Sequence, residues 1–208
     1  MRGRLAAASM AVLAAAGCAA GGTATGGRAA GKPAVTAGTS GTPTAGLVAA
    51  AALAPCPPGD PTGSPSRSAR DGLPSLTLSC LGAGPPVALP RLAGPALVNL
   101  WAAWCQPCRR EMPVLQTLHA LARGRLQVLG VVTDDDRRDA LSAARALGVH
   151  YPSVLDSRGT LRRSLGFTGP PITLVVDREG RIAARIVGPV PALPALAAVI
   201  RREVGVAL

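Results

Sequence analysis

Residues Leu97 to Pro113 read LVNLWAAWCQPCRREMP, and this stretch decides the fold. Ala96 to Trp101 (ALVNLW) is a near-continuous apolar run, as a strand buried on both faces requires. Trp104-Cys105-Gln106-Pro107-Cys108 follows, where that strand gives way to a helix. Residues i and i+3 stand on one helical face, so two sulfurs at this spacing can close a small ring. Unpaired N–H groups and the dipole at a helix N-terminus favour a thiolate, which makes Cys105 the expected nucleophile. Cys108, one turn in and less exposed, is expected to resolve a mixed disulfide. Pro107 fixes φ in a first helical turn, where a missing N–H costs little. A zinc site is another reading of the pair, but it needs two further ligands. His119, His150 and the other cysteines stand isolated, with no second CxxC or HxxxH. A buried structural disulfide is the third reading.

Working outward, strands and helices alternate. Ser75 to Leu81 and Pro86 to Leu92 read as short extended pieces before the central run. Glu111 to Arg123 carries Met112, Leu115, Leu118 and Leu121, spaced as on one helical face. Leu126 to Val132 is the next buried strand, and Asp136 to Leu147 a helix with acids in its first turn and Gly148 placed to stop it. Ser153 to Asp156, a short helix at Thr160 to Leu165, Ile172 to Val176, a turn at Arg178-Glu179-Gly180 and Arg181 to Val187 complete the sheet. A last helix spans Pro191 to Val204, and Pro194 makes it start late or bend. The fold class is α/β, a mixed sheet flanked by helices.

The chain has 208 residues, 48% apolar, 2% aromatic and 16% charged, which allows one ordinary domain plus extensions. Four aromatics are too few for base-stacking platforms. A net charge of +11 suggests nucleic acid or an anionic membrane. The basic residues, nearly all Arg, are scattered as singles and pairs rather than gathered in a run, so nucleic acid is not an expected partner.

The N-terminus reads as an address. Arg2 and Arg4 precede the small and apolar run Leu5 to Ala16, and Gly17-Cys18 follows. Residues 1–17 are expected to be an export signal, too short to span a bilayer in the usual way. Ala15-Ala16-Gly17-Cys18 is similar to a bacterial lipobox, in which Cys18 becomes the lipidated first residue; cleavage at an Ala-x-Ala site is the rival. Residues 18–55 then form a flexible tether, poor in large apolar side chains, with a short helix near Ala45 to Ala54. The folded domain is placed at residues 56–208, long enough for one real core.

LVNLWAAWCQPCRREMP, a βαβ unit and then TGPPITLVVDREGRI together resemble the thioredoxin superfamily, and within it the exported TlpA/ResA/DsbE-like thiol–disulfide oxidoreductases. The likeness covers residues 75 to 205. It implies a thioredoxin-like fold, a redox-active pair Cys105/Cys108, and no organic cofactor or metal. Pro171 matches the family's cis-proline, which shapes the substrate groove. Pro170 departs from the Thr common before it and has no N–H to offer a substrate strand. Glu111 matches an acidic residue that ResA-like proteins place near their cysteines. A half-buried carboxylate there has a raised pKa and can take the proton of Cys108. The alternative is a first-turn acid balancing the dipole against Arg109 and Arg110. Asn99 stands nearest the buried Asp of cytoplasmic thioredoxins, and since it cannot titrate, a proton relay must use Glu111 or water. Trp104 is expected to shield Cys105 and shape the contact surface, or only to pack. Pro113 resembles a helix-kinking proline of the family. The implied partners are cysteine-containing exported proteins or apocytochrome, and a membrane thiol–disulfide electron donor or acceptor. The implied location is extracytoplasmic, at the outer face of the cell membrane through a lipid anchor.

With Cys18 assigned to lipid, Cys56 and Cys80 are left. An oxidising compartment favours pairing them, as a structural disulfide or as a second electron-relay pair. Asp134 to Asp136 reads as a divalent-metal cluster or, beside Arg137 and Arg138, as a helix-capping charge run. His150 reads as a surface residue. Two other functional classes stay open: a SCO-like copper-handling protein, although that resemblance calls for CxxxC and a later His, and a non-catalytic thioredoxin-fold lipoprotein. The direction of electron flow also stays open between oxidant, reductant and isomerase.

Overall fold

The computed structural model describes residues 44–58 and 71–208. The signal segment and Cys18 lie outside the described residues. So does most of the tether.

Seven strands form one mixed sheet in the order β2-β1-β5-β4-β3-β6-β7. They are β1 (Thr77–Cys80), β2 (Val87–Ala88), β3 (Ala96–Trp101), β4 (Gln127–Thr133), β5 (Ser153–Asp156), β6 (Ile172–Val176) and β7 (Ile182–Val187). β3, β4 and β5 run parallel, while β6 pairs antiparallel with β3 and β7 with β6. The central strand is buried at all six positions, because the sheet is covered on both faces. Leu97 and Trp101 join a core with Met112, Leu115 and Leu118 of α2 (Gln106–Ala122), Ala140 and Leu141 of α3 (Arg137–Ala146), and Leu196 and Ile200 of α5 (Leu193–Val204). Ala96, Val98 and Leu100 point the other way, into a second core with Leu161 of α4 (Thr160–Ser164). Asn99 shares the α2 face with Leu97 and Trp101, a polar residue set in an apolar strand.

Three sequence expectations shift. The helix after the cysteines starts at Gln106, so Pro107 lies in its first turn and Pro113 inside it. Leu121 is 44% exposed and Ala122 takes the buried place. A three-residue spacing falls about 60° behind the helix with each step, and by Leu121 the stripe has turned to solvent. The extended piece Pro86 to Leu92 keeps only two strand residues before a 3₁₀ turn at Leu89–Arg91, where Pro90 withholds a ladder N–H.

The folded part also reaches upstream of Cys56. Helix α1 (Thr44–Ala51) and Leu53 pack into the α2–α3 core. Ala54 N–H donates to the His150 carbonyl at 2.7 Å, and Cys56 N–H to the Ala83 carbonyl at 2.9 Å. Gly84 sits at φ +117°, and a Cβ there would lie 2.7 Å from Cys56 N, so only glycine lets the two segments meet.

Candidate active site

Cys105 is the N-cap of α2, with extended backbone at φ −82° and ψ 101°. Its Sγ accepts the Cys108 backbone N–H at 3.2 Å and is bonded to Cys108 Sγ. Sulfur thus occupies the position in which Ser or Asp commonly satisfies an orphan helix donor. Cys105 is 3% exposed and Cys108 fully buried. Trp104, by contrast, is 59% exposed, its ring held by an Nε1–H bond to the Asp134 carbonyl at 3.0 Å. A cavity of about 380 Å³ opens beside it, lined by Ala103, Trp104, Arg109, Asp135, Asp139 and Ser142.

Asp134 to Asp136 each have structural work. Asp136 caps α3 by accepting the Asp139 N–H, Asp135 accepts the Ala103 N–H at 2.6 Å, and Asp134 pairs with Arg162 at 2.7 Å. The acidic run therefore ties the loop before Cys105 to α3 and α4.

Glu111 lies one turn beyond Cys108 and is 3% exposed. Its Oε1 accepts from Asn99 Nδ2 at 2.8 Å and its Oε2 from Val190 N–H at 2.8 Å. No salt bridge joins it to Arg109 or Arg110, so the dipole-balancing alternative does not describe its contacts. Burial pushes its carboxyl above the ordinary carboxylate value, while the Val190 and Asn99 hydrogen bonds pull it partway back. Asn99 Nδ2 also donates to Thr173 Oγ1 at 3.0 Å. The non-titrating Asn99 is therefore the direct partner of the buried acid. Sequence reading missed Val190 and Thr173. Thr173 stands in the motif already singled out, opposite Asn99 across the β3–β6 ladder, whereas nothing in the sequence marks Val190. Tyr151 was also missed as a buried group; burial, then the charge of Glu111, raises its phenol pKa.

Pro171 follows a cis bond from Pro170, immediately before β6. The Pro171 carbonyl accepts the Gly188 N–H at 3.0 Å, so the loop that carries Val190 to Glu111 is fastened to the proline as well. Cys56 and Cys80 are bonded to each other across 24 positions, far from the CxxC in sequence, and both are buried. His150 is exposed, its Nδ1 3.1 Å from the Ala52 carbonyl.

A CxxC disulfide capping the helix after a central parallel strand, with a cis-proline opening the neighbouring antiparallel strand, defines a thioredoxin-like protein. The chain belongs to the Redoxin family, which it matches over residues 68–200. It is 41% identical over 100 residues to the thiol:disulfide interchange protein DsbE homolog of Paracoccus denitrificans, covering 48% of this chain and 54% of that protein. It is 35% identical over 133 residues to the thiol:disulfide interchange protein HelX of Rhodobacter capsulatus, covering 62% of this chain and 74% of that one. The chain spans about half the length of the Paracoccus relative. Among solved structures, a secreted thiol-disulfide isomerase from Corynebacterium glutamicum superposes with a TM-score of 0.56 at 28% identity, over 64% of this chain and 86% of that one. A thiol:disulfide interchange protein of the thioredoxin family from Chlorobium tepidum gives 0.55 at 25% identity, over 65% and 98%. Helix α1 lies outside the Redoxin match. No helix among the described residues is long and apolar enough to cross a membrane.

Proposed function

We propose that this chain is an exported thiol–disulfide oxidoreductase, held at the outer face of the cell membrane through Cys18, that exchanges disulfides with cysteine-containing exported proteins or apocytochrome. The observation that carries the reading is Cys105 as the N-cap of α2, its sulfur receiving the Cys108 N–H. An N–H donor and the positive end of a seventeen-residue helix stabilise negative charge on that sulfur, lowering its pKa once the bond is reduced. The names and similarity of the relatives support the same chemistry.

In the reducing direction the Cys105 thiolate attacks a client disulfide, forming one S–S bond and releasing one client thiolate. The Cys108 S–H then gives its proton to the Glu111 carboxylate, and the Cys108 thiolate attacks Cys105. The Cys105–Cys108 bond forms, the mixed disulfide breaks, and the client leaves as two thiolates, which take one proton back from Glu111 and one from water, while the enzyme is oxidised. A membrane thiol partner restores the reduced pair, and the oxidising direction is the reverse sequence. Exposed Trp104 and the Pro170–Pro171 segment form the contact surface. Pro170 presents a carbonyl and no N–H, so main-chain pairing with a client strand has one donor fewer. Cys56–Cys80 serves structure.

Trapping tests this reading. Cys108→Ser, reduced and mixed with a disulfide-containing exported protein, should accumulate a reductant-sensitive adduct through Cys105. Alkylation should place the Cys105 pKa well below the ordinary thiol value of about 8.5. No adduct, or an ordinary thiol titration, overturns the proposal.

A further inference from the structure

The proposed contact surface has two walls on different elements, Trp104 in the loop after β3 and Pro170–Pro171 in the loop before β6. Among the described hydrogen bonds none joins one wall directly to the other. Both lead instead to one side chain, Arg162 of α4.

On the Trp104 side the link runs through Asp134. The indole Nε1–H donates to the Asp134 carbonyl at 3.0 Å, and a backbone φ of +52° helps to aim that carbonyl. Positive φ is costly for a residue with a Cβ, though least so for Asn and Asp. The side chain holds Asp134 in place. Arg162 Nε donates to its Oδ2 at 2.7 Å, Arg163 Nη1 stands 3.9 Å from its Oδ1, and a Cβ at Gly159 would run into both oxygens. The carboxylate is thus seated on the residue that opens α4. On the proline side, Arg162 Nη1 donates to the Phe167 carbonyl at 2.7 Å and to the Thr168 carbonyl at 3.0 Å. The Phe167 N–H returns to the Arg162 carbonyl at 3.1 Å and closes the turn. One guanidinium therefore binds both arms, on a side chain only 14% exposed. A planar fork can do this. An ammonium is a compact point donor and cannot hold a carboxylate by one nitrogen and two carbonyls by another. Asp135, which accepts the Ala103 N–H, fixes the backbone before Trp104 separately, so the Arg162 link acts on the ring.

We propose that Arg162 is a positioning residue for client binding: its guanidinium clamps Trp104, through the Asp134 carbonyl, and the segment leading to Pro170–Pro171 in one fixed arrangement. A client strand that lies against both walls then meets a surface already set, and does not have to order it on binding. Arg162 makes no hydrogen bond to Cys105 or Cys108, so thiolate chemistry should be indifferent to it. The inference rests on the oxidoreductase reading for its purpose, but one of its two readouts uses the protein with no client.

Arg162→Gln in the full chain is the test, with Asp134→Asn beside it. Asn tolerates positive φ and keeps the carbonyl for Trp104 while giving up the charge that Arg162 grips, so the link is tested even where Arg162→Gln fails to fold. Without client, NMR relaxation should show the Trp104 indole N–H and the Thr168 and Gly169 amides becoming more mobile together. In turnover with a disulfide-containing exported protein, KM should rise about tenfold in Arg162→Gln, the scale of one lost charge-assisted hydrogen bond, and about threefold in Asp134→Asn. The kcat, and the rate toward oxidised glutathione, which is too small to span the walls, should not change. Arg162→Lys keeps the charge without the fork and should not restore KM. An indole as rigid as in the parent chain, a fall in kcat with KM unmoved, or full rescue by Arg162→Lys overturns the clamp. Loosened walls in a protein whose Cys105 traps no client would leave the clamp standing and remove the oxidoreductase function.

Discussion

The described residues contain two disulfides, and exposure does not tell them apart. Cys105 and Cys108 are 3% and 0% exposed, Cys56 and Cys80 are 2% and 7%. What separates them is their surroundings. Cys105–Cys108 closes across three positions at a helix N-terminus, with an N–H on the outer sulfur and a buried acid one turn behind the inner one. Cys56–Cys80 joins the upstream segment to the end of β1, with Cys56 Sγ 3.3 Å from the Ser153 carbonyl oxygen and no backbone N–H donated to either sulfur among the described hydrogen bonds. A carbonyl oxygen repels a thiolate where an N–H attracts one. On the proposed reading the same covalent bond is exchangeable in one place and structural in the other, for reasons of local electrostatics.

Removing the second bridge is the largest way to sharpen that contrast. Cys56→Ser with Cys80→Ser should cost about 3.5 kcal/mol, the chain-entropy value for a loop of about 25 residues. The folded fraction should keep its rate of disulfide exchange. Denaturant unfolding beside an exchange assay reads both, and a lost exchange rate in folded protein would make this pair part of the electron path.

Glu111→Gln breaks the contrast from the other side. Without the proton acceptor, resolution by Cys108 should slow about a hundredfold, within the usual range for a positioned acid–base group. Stability carries a second signature. Burial raises the pKa of Glu111 in the folded state, so the folded chain binds this proton more tightly than the unfolded chain. The resulting stabilisation is full below the ordinary value of 4.5 and is lost as pH rises through the folded value. Glu111→Gln should flatten that fall, as unfolding measured across pH would show. An unchanged slope would mean that Glu111 titrates as an ordinary surface carboxylate.

The smallest expected effect lies at the contact surface. Pro170→Thr restores a backbone N–H next to Pro171 and should tighten binding of an extended client peptide by about threefold to tenfold, the value of one hydrogen bond. Peptide affinity for Cys108→Ser, with and without Pro170→Thr, measures it. Equal affinities would mean that client strands do not pair at this segment.

Much of this was legible in the chain. The apolar run ALVNLW, the CxxC after it and the alternation of periods mark a buried strand, a redox-type helix start and an α/β sheet, because each depends on neighbours a few residues apart. Leu121 shows where local reading slips: the eye follows a three-residue spacing, while the helix turns by 3.6. The short helix near Ala45 to Ala54 is legible from its apolar run, but nothing in that run says which core it joins. Its packing on the α2–α3 core is visible only in three dimensions.

Sequence alone singled out the atoms on which the proposed chemistry rests: two sulfurs at helical spacing, a carboxyl one turn on, and a proline lacking its N–H. Tertiary structure decided what those atoms can do. Glu111 became a buried acid rather than a surface charge because Asn99, twelve positions back, and Val190, seventy-nine positions on, close over it. Proton affinity and thiolate stability depend on the dielectric and the donors within a few ångströms, and those are supplied by residues that only folding brings together.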